Sequence, residues 1–182
     1  MQQVVIKSNQ SVIFNHELGP LKITSGLTDH QVQQLVEYSN TDQTIKKYSS
    51  DQNRFKNRAT YDRWFAQDKS IYSMQNEQNK LLGLVWFGPS KFPQVKLKAE
   101  YAHLPTTHYQ LTFALRVYNQ ARGHGLAKKL TAVTLTIFLN SKTYQQTKNN
   151  GIWLETFKKI YQPSKLTAHF SNKFRYQIKR VK

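Results

Sequence analysis

Apolar residues recur along the chain with two different periods, and the shorter period predicts strands. Residues 71–74 and 81–87 are apolar or alternating on either side of a polar turn, 75–80, which predicts an antiparallel hairpin. Residues 109–118 predict a longer strand, in which the odd-numbered apolar residues share one face. Further short strands are predicted at residues 4–7, 11–14, 151–157 and 174–178, with a turn at 18–20.

The longer period, with apolar residues three or four positions apart, predicts helices. One begins with a capping pattern at Thr28 and Gln31, and Val32, Leu35 and Val36 follow at helical spacing. A second runs from residue 126 to residue 140 with one apolar side. We also expect a mixture of helix and loop at residues 41–58, a helical turn at 60–66 and a helix after Pro163.

The order of these elements predicts an α/β domain of the α+β kind, with helices packed on a mixed sheet. The 182 residues fit a single domain, residues 1–182. Residues 91–108 are basic, contain two prolines and lack a period, so we interpret the region around 90–108 as an insertion loop or surface lid.

Charge is the most unusual feature of the composition. The chain has 27 Lys and Arg against 10 Asp and Glu, a formal net charge of +17. Such a field attracts polyanions, so RNA, a ribosome, an acidic protein, anionic lipid and the phosphates of a cofactor are candidate partners, while a merely basic surface is the alternative. The absence of cysteine excludes disulfides and thiolate chemistry and suits a cytoplasmic location. No secretory signal or membrane span is expected.

One loop carries the strongest chemical signal. Residues 120–127 read Gln-Ala-Arg-Gly-His-Gly-Leu-Ala, and they join the long strand to the second helix. Glycines let a ligand approach the main chain, and the first amides of a helix have no internal partner and lie at the positive end of its dipole. The pattern predicts a cradle for a diphosphate, with Arg122, Lys128 and Lys129 supplying charge. The spacing matches neither the dinucleotide fingerprint nor the P-loop.

Residues 115–127 resemble the acyl-CoA motif of GNAT-type N-acetyltransferases, Gln/Arg-x-x-Gly-x-Gly/Ala, which Gln120, Gly123 and Gly125 satisfy. The resemblance extends over about residues 71–174. It implies a GNAT-like mixed, mostly antiparallel, splayed sheet of about six to seven strands with helices on both faces. It also implies transfer of an acetyl group from acetyl-CoA directly to a primary amine of a protein, a peptide or a small molecule.

The resemblance assigns main-chain roles to the residues of this region. The amides that would bind the coenzyme A diphosphate are those of Arg122, Gly123, His124, Gly125, Leu126 and Ala127. The main chain of Leu115, Arg116 and Val117 would pair with the pantetheine arm where two strands splay apart, and an amide there would polarise the thioester carbonyl.

The catalytic residues are less clearly marked. His169 lies five residues before Phe174, where the family often has a Tyr that protonates the departing thiolate. Lys173 and Gln162 depart from the same family motif, so a surface histidine is the alternative. Glu155 is the best-placed carboxylate for a general base, although a structural ion pair is equally consistent with its position. Other candidates for proton transfer are Tyr161, Tyr176, Glu100 and His108.

Two further functions compete with acetyl transfer: a basic module that binds nucleic acid or a ribosome, and a GNAT-like domain that binds coenzyme A without catalysis. The spacing of His103 and His108 resembles that of metal ligands, but suitable carboxylates are lacking, so no metal site is predicted. The basic surface disfavours a polycationic acceptor and suits an amine on an acidic or RNA-bound protein. A monomer and a homodimer are both consistent with the sequence.

Overall fold

The computed structural model describes residues 11–90, 110–146 and 152–153. The strands are β1 (Val12–His16), β2 (Gly19–Ser25), β3 (Ser70–Asn76), β4 (Leu81–Pro89), β5 (Leu111–Val117) and β6 (Ile152–Trp153). The helices are α1 (Asp29–Thr41), α2 (Gln43–Tyr48), α3 (Asp51–Arg54), α4 (Arg58–Phe65), α5 (Leu126–Leu139) and α6 (Lys142–Gln146). A 3-10 turn at Asn119–Ala121 links β5 to the glycine loop.

The strands form one sheet in the order β1-β2-β3-β4-β5-β6. Neighbouring strands are antiparallel except for β5 and β6, which are parallel and are joined through α5 and α6. Five strands have five or more residues and β6 has two. The predicted mixed, mostly antiparallel sheet of about six strands is therefore confirmed.

Helices pack on both faces of this sheet, as expected. On one face, Phe138 of α5 stacks on Phe87 of β4, with ring centroids 4.2 Å apart. On the other face, Trp64 of α4 meets Trp86 of β4 edge to face at 5.3 Å. Because β4 is covered on both faces, its sequence is a continuous apolar run and not an alternating one.

Three helices of the second face, α1, α2 and α4, begin at side-chain caps. Thr28 caps α1 in a capping box with Gln31, which confirms the predicted start. Asn57 forms a similar box at α4, and Asp42 accepts hydrogen bonds from the amides of Thr44 and Ile45 at the start of α2. The polar segment 41–58, predicted as a mixture of helix and loop, contains α2, α3 and the first residue of α4. The helical turn predicted at 60–66 belongs to α4.

The first hairpin differs from the prediction. The turn lies at residues 17–18, and β2 already begins at Gly19, whereas a turn was predicted at 18–20 and no strand after it. Leu21 and Ile23 are fully buried in β2 and alternate with more polar residues, so the period-two signal was present but short. The strands predicted at 4–7 and 174–178, the loop at 91–108 and the helix after Pro163 lie outside the described residues.

Candidate functional site

The site is built around the end of β5, where the strand has a neighbour on one side only within the described part of the chain. Along its whole length β5 pairs with β4, but its pairing with β6 stops at Thr112 opposite Trp153. The amide of Tyr118 donates to the carbonyl of Leu82 at 3.0 Å, so strand alternation directs the main chain of Leu115 and Val117 to the edge away from β4. The carbonyls of Leu115 and Val117 accept hydrogen bonds from the guanidinium groups of Arg116 and Arg122, each at 2.9 Å, so the amides are the groups that this edge offers a ligand.

The glycine loop follows directly and leads into α5. Gly123 and Gly125 have φ values of +86° and +71°, the left-handed region that side chains rarely adopt, and both are exposed. A Cβ at either position would have nothing within 4 Å, so the space beside the main chain is open. No side chain in the described residues caps α5, whose N-cap is Gly125. The amides of the first turn therefore face a potential ligand.

His16 at the end of β1 and Glu17 in the turn that follows both contact the glycine loop. The sequence did not predict these contacts. Nε2 of His16 lies 3.2 Å from the carbonyl oxygen of His124, and the two rings meet edge to face at 6.3 Å. Nδ1 of His124 donates a hydrogen bond to the exposed carboxylate of Glu17. That hydrogen bond, helped by the charge of His124, holds the pKa of Glu17 below its usual range.

Arg122 is tied down on the opposite side of the loop. Its guanidinium binds both carboxylate oxygens of Asp42, at 3.0 and 2.6 Å, and donates to the carbonyl of Val117 at 2.9 Å. The side chain thus links the loop to α2 and to the end of β5, and Asp42 balances its charge. The role of the Arg122 amide in binding the diphosphate stays a prediction. Of the three cations predicted near the diphosphate, Lys128 and Lys129 are exposed and Arg122 is half-buried.

A buried ion cluster lies beneath the end of β5. Asp51 of α3 is 1% exposed and accepts hydrogen bonds from Arg116 at 3.0 Å and from Arg54 at 2.7 Å. Burial alone would lower the pKa of Arg116, but the charge and hydrogen bonds of Asp51 outweigh burial and raise it. Arg54 also lies over the Trp86 ring at 5.5 Å. The Arg116 side chain therefore positions the strand, and its predicted role toward the cofactor rests on its main chain.

A cleft of about 380 Å³ opens beside the loop, between the end of α1, the start of α2 and the 3-10 turn. Its walls include Tyr38, Tyr118 and the predicted cofactor residues Gln120 and Arg122. The Tyr118 hydroxyl is buried and has no hydrogen-bond partner within the described residues. Burial raises the pKa of this phenol strongly, so it stays protonated.

The structure brings the predicted cofactor residues together, but the predicted catalytic residues are not among those it describes. Gln120, Arg122, Gly123, His124, Gly125, Leu126 and Ala127 form one continuous turn that follows Leu115, Arg116 and Val117. Leu126 is 2% exposed and packs in the core, so only its amide is offered. The positions that lie outside the described residues are Glu100, His103, His108, Glu155, Tyr161, His169 and Tyr176.

Within 11–90, 110–146 and 152–153, no group of three His, Cys, Asp or Glu residues is arranged to hold a metal ion. In the same ranges no helix is long and apolar enough to cross a membrane.

Comparisons with known proteins concern the fold. Neither a protein-family model nor a curated protein sequence matches the chain. An uncharacterized protein from Bacillus halodurans (bh2621) has a solved structure that overlays with a TM-score of 0.53 at 12% identity, over 88% of this chain and 79% of that one. This likeness supports a shared fold and says nothing of activity.

Solved acetyltransferases also resemble the chain at a lower level. A GNAT-family acetyltransferase from Staphylococcus aureus has a TM-score of 0.47 at 15% identity, over 82% of each chain. Glucosamine-6-phosphate N-acetyltransferase from Arabidopsis thaliana has a TM-score of 0.42 at 13% identity, over 82% of this chain and 88% of that one.

Proposed function

We propose that this chain is an N-acetyltransferase that binds acetyl-CoA at the end of β5 and transfers the acetyl group to a primary amine. The observation that carries the proposal is the junction of two features. The main-chain edge of Leu115 and Val117 points away from β4, and the loop that follows has two left-handed glycines and opens the uncapped start of α5. A cofactor with a peptide-like arm and a diphosphate requires both features side by side.

The residues of the chain would hold the cofactor through their main chain. The amides of Gly123, Gly125 and Ala127 would receive the diphosphate at the positive end of the α5 dipole. The edge of β5 would bind the pantetheine arm in the manner of an added strand. Lys128 and Lys129 are exposed on the first turn of α5, where they attract the anion. Bound acetyl-CoA would supply the activated acetyl group.

The cleft beside the loop would admit the acceptor amine. An amine must lose a proton before it attacks a thioester, and Glu155 remains our proposal for the base and His169 for the acid. The net charge of +17 favours an amine carried on an acidic or RNA-bound protein over a polycation. Tyr118 stays protonated at the cleft wall, which prevents it from acting as a base.

Two measurements on the pure protein test this proposal. Acetyl-CoA at about 1 mM should raise the melting temperature, because a ligand that binds only the native state stabilises it. Release of coenzyme A can then be followed with a thiol reagent. The chain has no cysteine, so any colour comes from the product.

The outcomes separate binding from transfer. A melting temperature that acetyl-CoA leaves unchanged would contradict the proposed site. A clear thermal shift without thiol release, with acidic peptides, a neutral peptide and small amines each offered as acceptor, would contradict transfer and leave a domain that only binds coenzyme A.

A further inference from the structure

His16, the last residue of β1, is held in a defined tautomer. The amide of Leu18 points at Nδ1 of the His16 ring at 3.3 Å, and an amide only donates, so Nδ1 carries no proton. The ring proton is then on Nε2, which lies 3.2 Å from the carbonyl oxygen of His124. His16 therefore donates a hydrogen bond across 108 positions of sequence to the middle of the glycine loop.

This hydrogen bond fixes the orientation of one peptide group. The described chain has no cis peptide bond, and in a trans peptide the carbonyl and the amide of one unit point in opposite directions. With the His124 carbonyl turned toward His16, the Gly125 amide points away from the β1–β2 turn. That amide immediately precedes the first turn of α5 and is one of the donors assigned to the diphosphate.

The backbone itself does not impose this orientation. Rotation of the peptide between residues 124 and 125 changes the φ of Gly125, which is +71°, and glycine accepts both signs of φ. Neither Gly123 nor Gly125 has a side chain that packs against the surroundings. A contact from outside the loop must therefore select the orientation, and among the described residues His16 supplies a hydrogen bond to this carbonyl.

We propose that His16 is a positioning residue for the coenzyme A loop, holding the peptide between His124 and Gly125 with its amide directed outward. The proposal rests on the proposed function for the identity of the ligand. Glu17 reaches the loop through the side chain of His124, and that contact leaves the peptide free to turn. His16 is half-buried and pairs with Gly19 at the end of β1.

Two substitutions separate the two hydrogen bonds of the ring. His16→Gln places an amide nitrogen near the position of Nε2 and keeps a donor for the His124 carbonyl. His16→Asn places an oxygen near the position of Nδ1, so it keeps the acceptor for Leu18 and loses the donor to the loop. Asn15→Ala changes the neighbouring exposed residue and serves as the control.

The first readout is the affinity for coenzyme A by isothermal titration calorimetry. We expect the dissociation constant to rise about fivefold or more in His16→Asn, because a net hydrogen bond is lost. The constant should stay within about twofold of wild type in His16→Gln and Asn15→Ala. The Michaelis constant for acetyl-CoA should follow the same order while kcat at saturation changes little. An equal rise of the dissociation constant in the Asn and Gln variants would overturn the proposal, because it would indicate only a disturbed turn.

The second readout needs no ligand. In the free protein, the NMR signal of the Gly125 amide should shift and broaden in His16→Asn, because the peptide now samples both orientations, and it should stay sharp in His16→Gln. An unchanged Gly125 signal in His16→Asn would overturn the role of His16. If the wild-type protein fails to bind coenzyme A, the proposed function fails, and the Gly125 signal still decides whether His16 holds the loop.

Discussion

The two ends of β5 stand in different surroundings. Leu111, Thr112 and Phe113 are buried and lie where β5 has β4 on one side and β6 on the other. Leu115, Arg116 and Val117 are half-buried, and their far edge has no partner strand within the described residues. The start of the strand is held by the sheet itself, whereas the end depends on side chains that arrive from other elements.

The difference shows how an open strand edge is kept in place. Asp51 of α3 holds Arg116, Asp42 at the start of α2 holds Arg122, and His16 holds the loop carbonyl. Two of the anchored side chains also occupy part of the edge. Arg116 donates to the carbonyl of Leu115 at 2.9 Å and Arg122 donates to the carbonyl of Val117 at 2.9 Å, so the edge offers a ligand its amides. We infer that these anchors keep the edge and loop in a binding-ready shape.

The largest expected effect concerns the anchor beneath the end of β5. Asp51→Ala should lower the free energy of unfolding by about 3 to 5 kcal/mol, because it leaves the Arg116 guanidinium buried without its partner. Denaturant unfolding followed by fluorescence measures this loss. In the double variant Asp51→Ala, Arg116→Met part of the loss should return, since the unpaired charge is gone. Strictly additive losses would show that Asp51 acts through packing alone.

The second prediction concerns ligand binding at the end of β5. Gly125→Val should weaken acetyl-CoA binding about 100-fold, because a branched side chain is strained at positive φ and fills the open space beside the amides. Gly26→Val is the matched control, since Gly26 has a φ of +81° and is equally open but lies far along the chain between β2 and α1. Equal loss of affinity in both variants would indicate that backbone strain, and not the loop, controls binding.

The sequence predicted the elements that carry their own periodicity. The β3–β4 hairpin, β5, the capped start of α1 and the loop before α5 follow from local patterns, and the structure confirms them. Strand β2 was missed because its alternation is short and the Leu18-Gly19-Pro20 segment suggested a longer turn. A signal for β2 was present in Leu21 and Ile23, which point to one face.

The ion pairs that hold the end of β5 and the glycine loop could not be predicted from local sequence patterns. Asp51 and Arg116 are 65 positions apart, and Asp42 and Arg122 are 80 apart. A single sequence shows which residues can form an ion pair and does not show which acid meets which base. The ion pair of Asp42 was harder still to predict, because capping α2 already explains an Asp at the start of that helix.

The third prediction isolates the anchor of the loop. Asp42→Asn keeps an oxygen that caps α2 but removes the charge that binds Arg122, so the free energy of unfolding should fall by about 2 kcal/mol. The comparison variant Asp42→Ala removes the cap as well and should cost about 1 kcal/mol more. If Asp42→Asn is as stable as wild type in denaturant unfolding, the ion pair does not anchor the loop.

The smallest expected effect is a change in the free energy of unfolding at alkaline pH, and it concerns the aromatic residues packed on the start of β5. Phe113 packs on Phe87, and Phe87 meets Tyr72 edge to face at 5.9 Å. Burial raises the pKa of Tyr72 from 10.0 to about 12, so the folded state holds its proton more tightly than the unfolded state. The contribution of this pKa difference to the free energy of unfolding is complete below about pH 10 and is lost as the pH rises toward 12.

A substitution makes the alkaline effect measurable. The free energy of unfolding of the wild type should fall by about 1 kcal/mol more than that of Tyr72→Phe between pH 9 and pH 11. Parallel pH profiles for the two proteins would contradict the burial of the Tyr72 side chain beside Phe87.

The most direct test of the central claim is an NMR titration of the isotope-labelled protein with acetyl-CoA. If the end of β5 and the glycine loop form the cofactor site, the largest amide shifts should occur at Leu115, Val117, Gly123, Gly125 and Leu126. Amides at the start of β5, such as Phe113, should move much less. Saturable shifts confined to other parts of the chain, or no shifts at millimolar acetyl-CoA, would contradict the account.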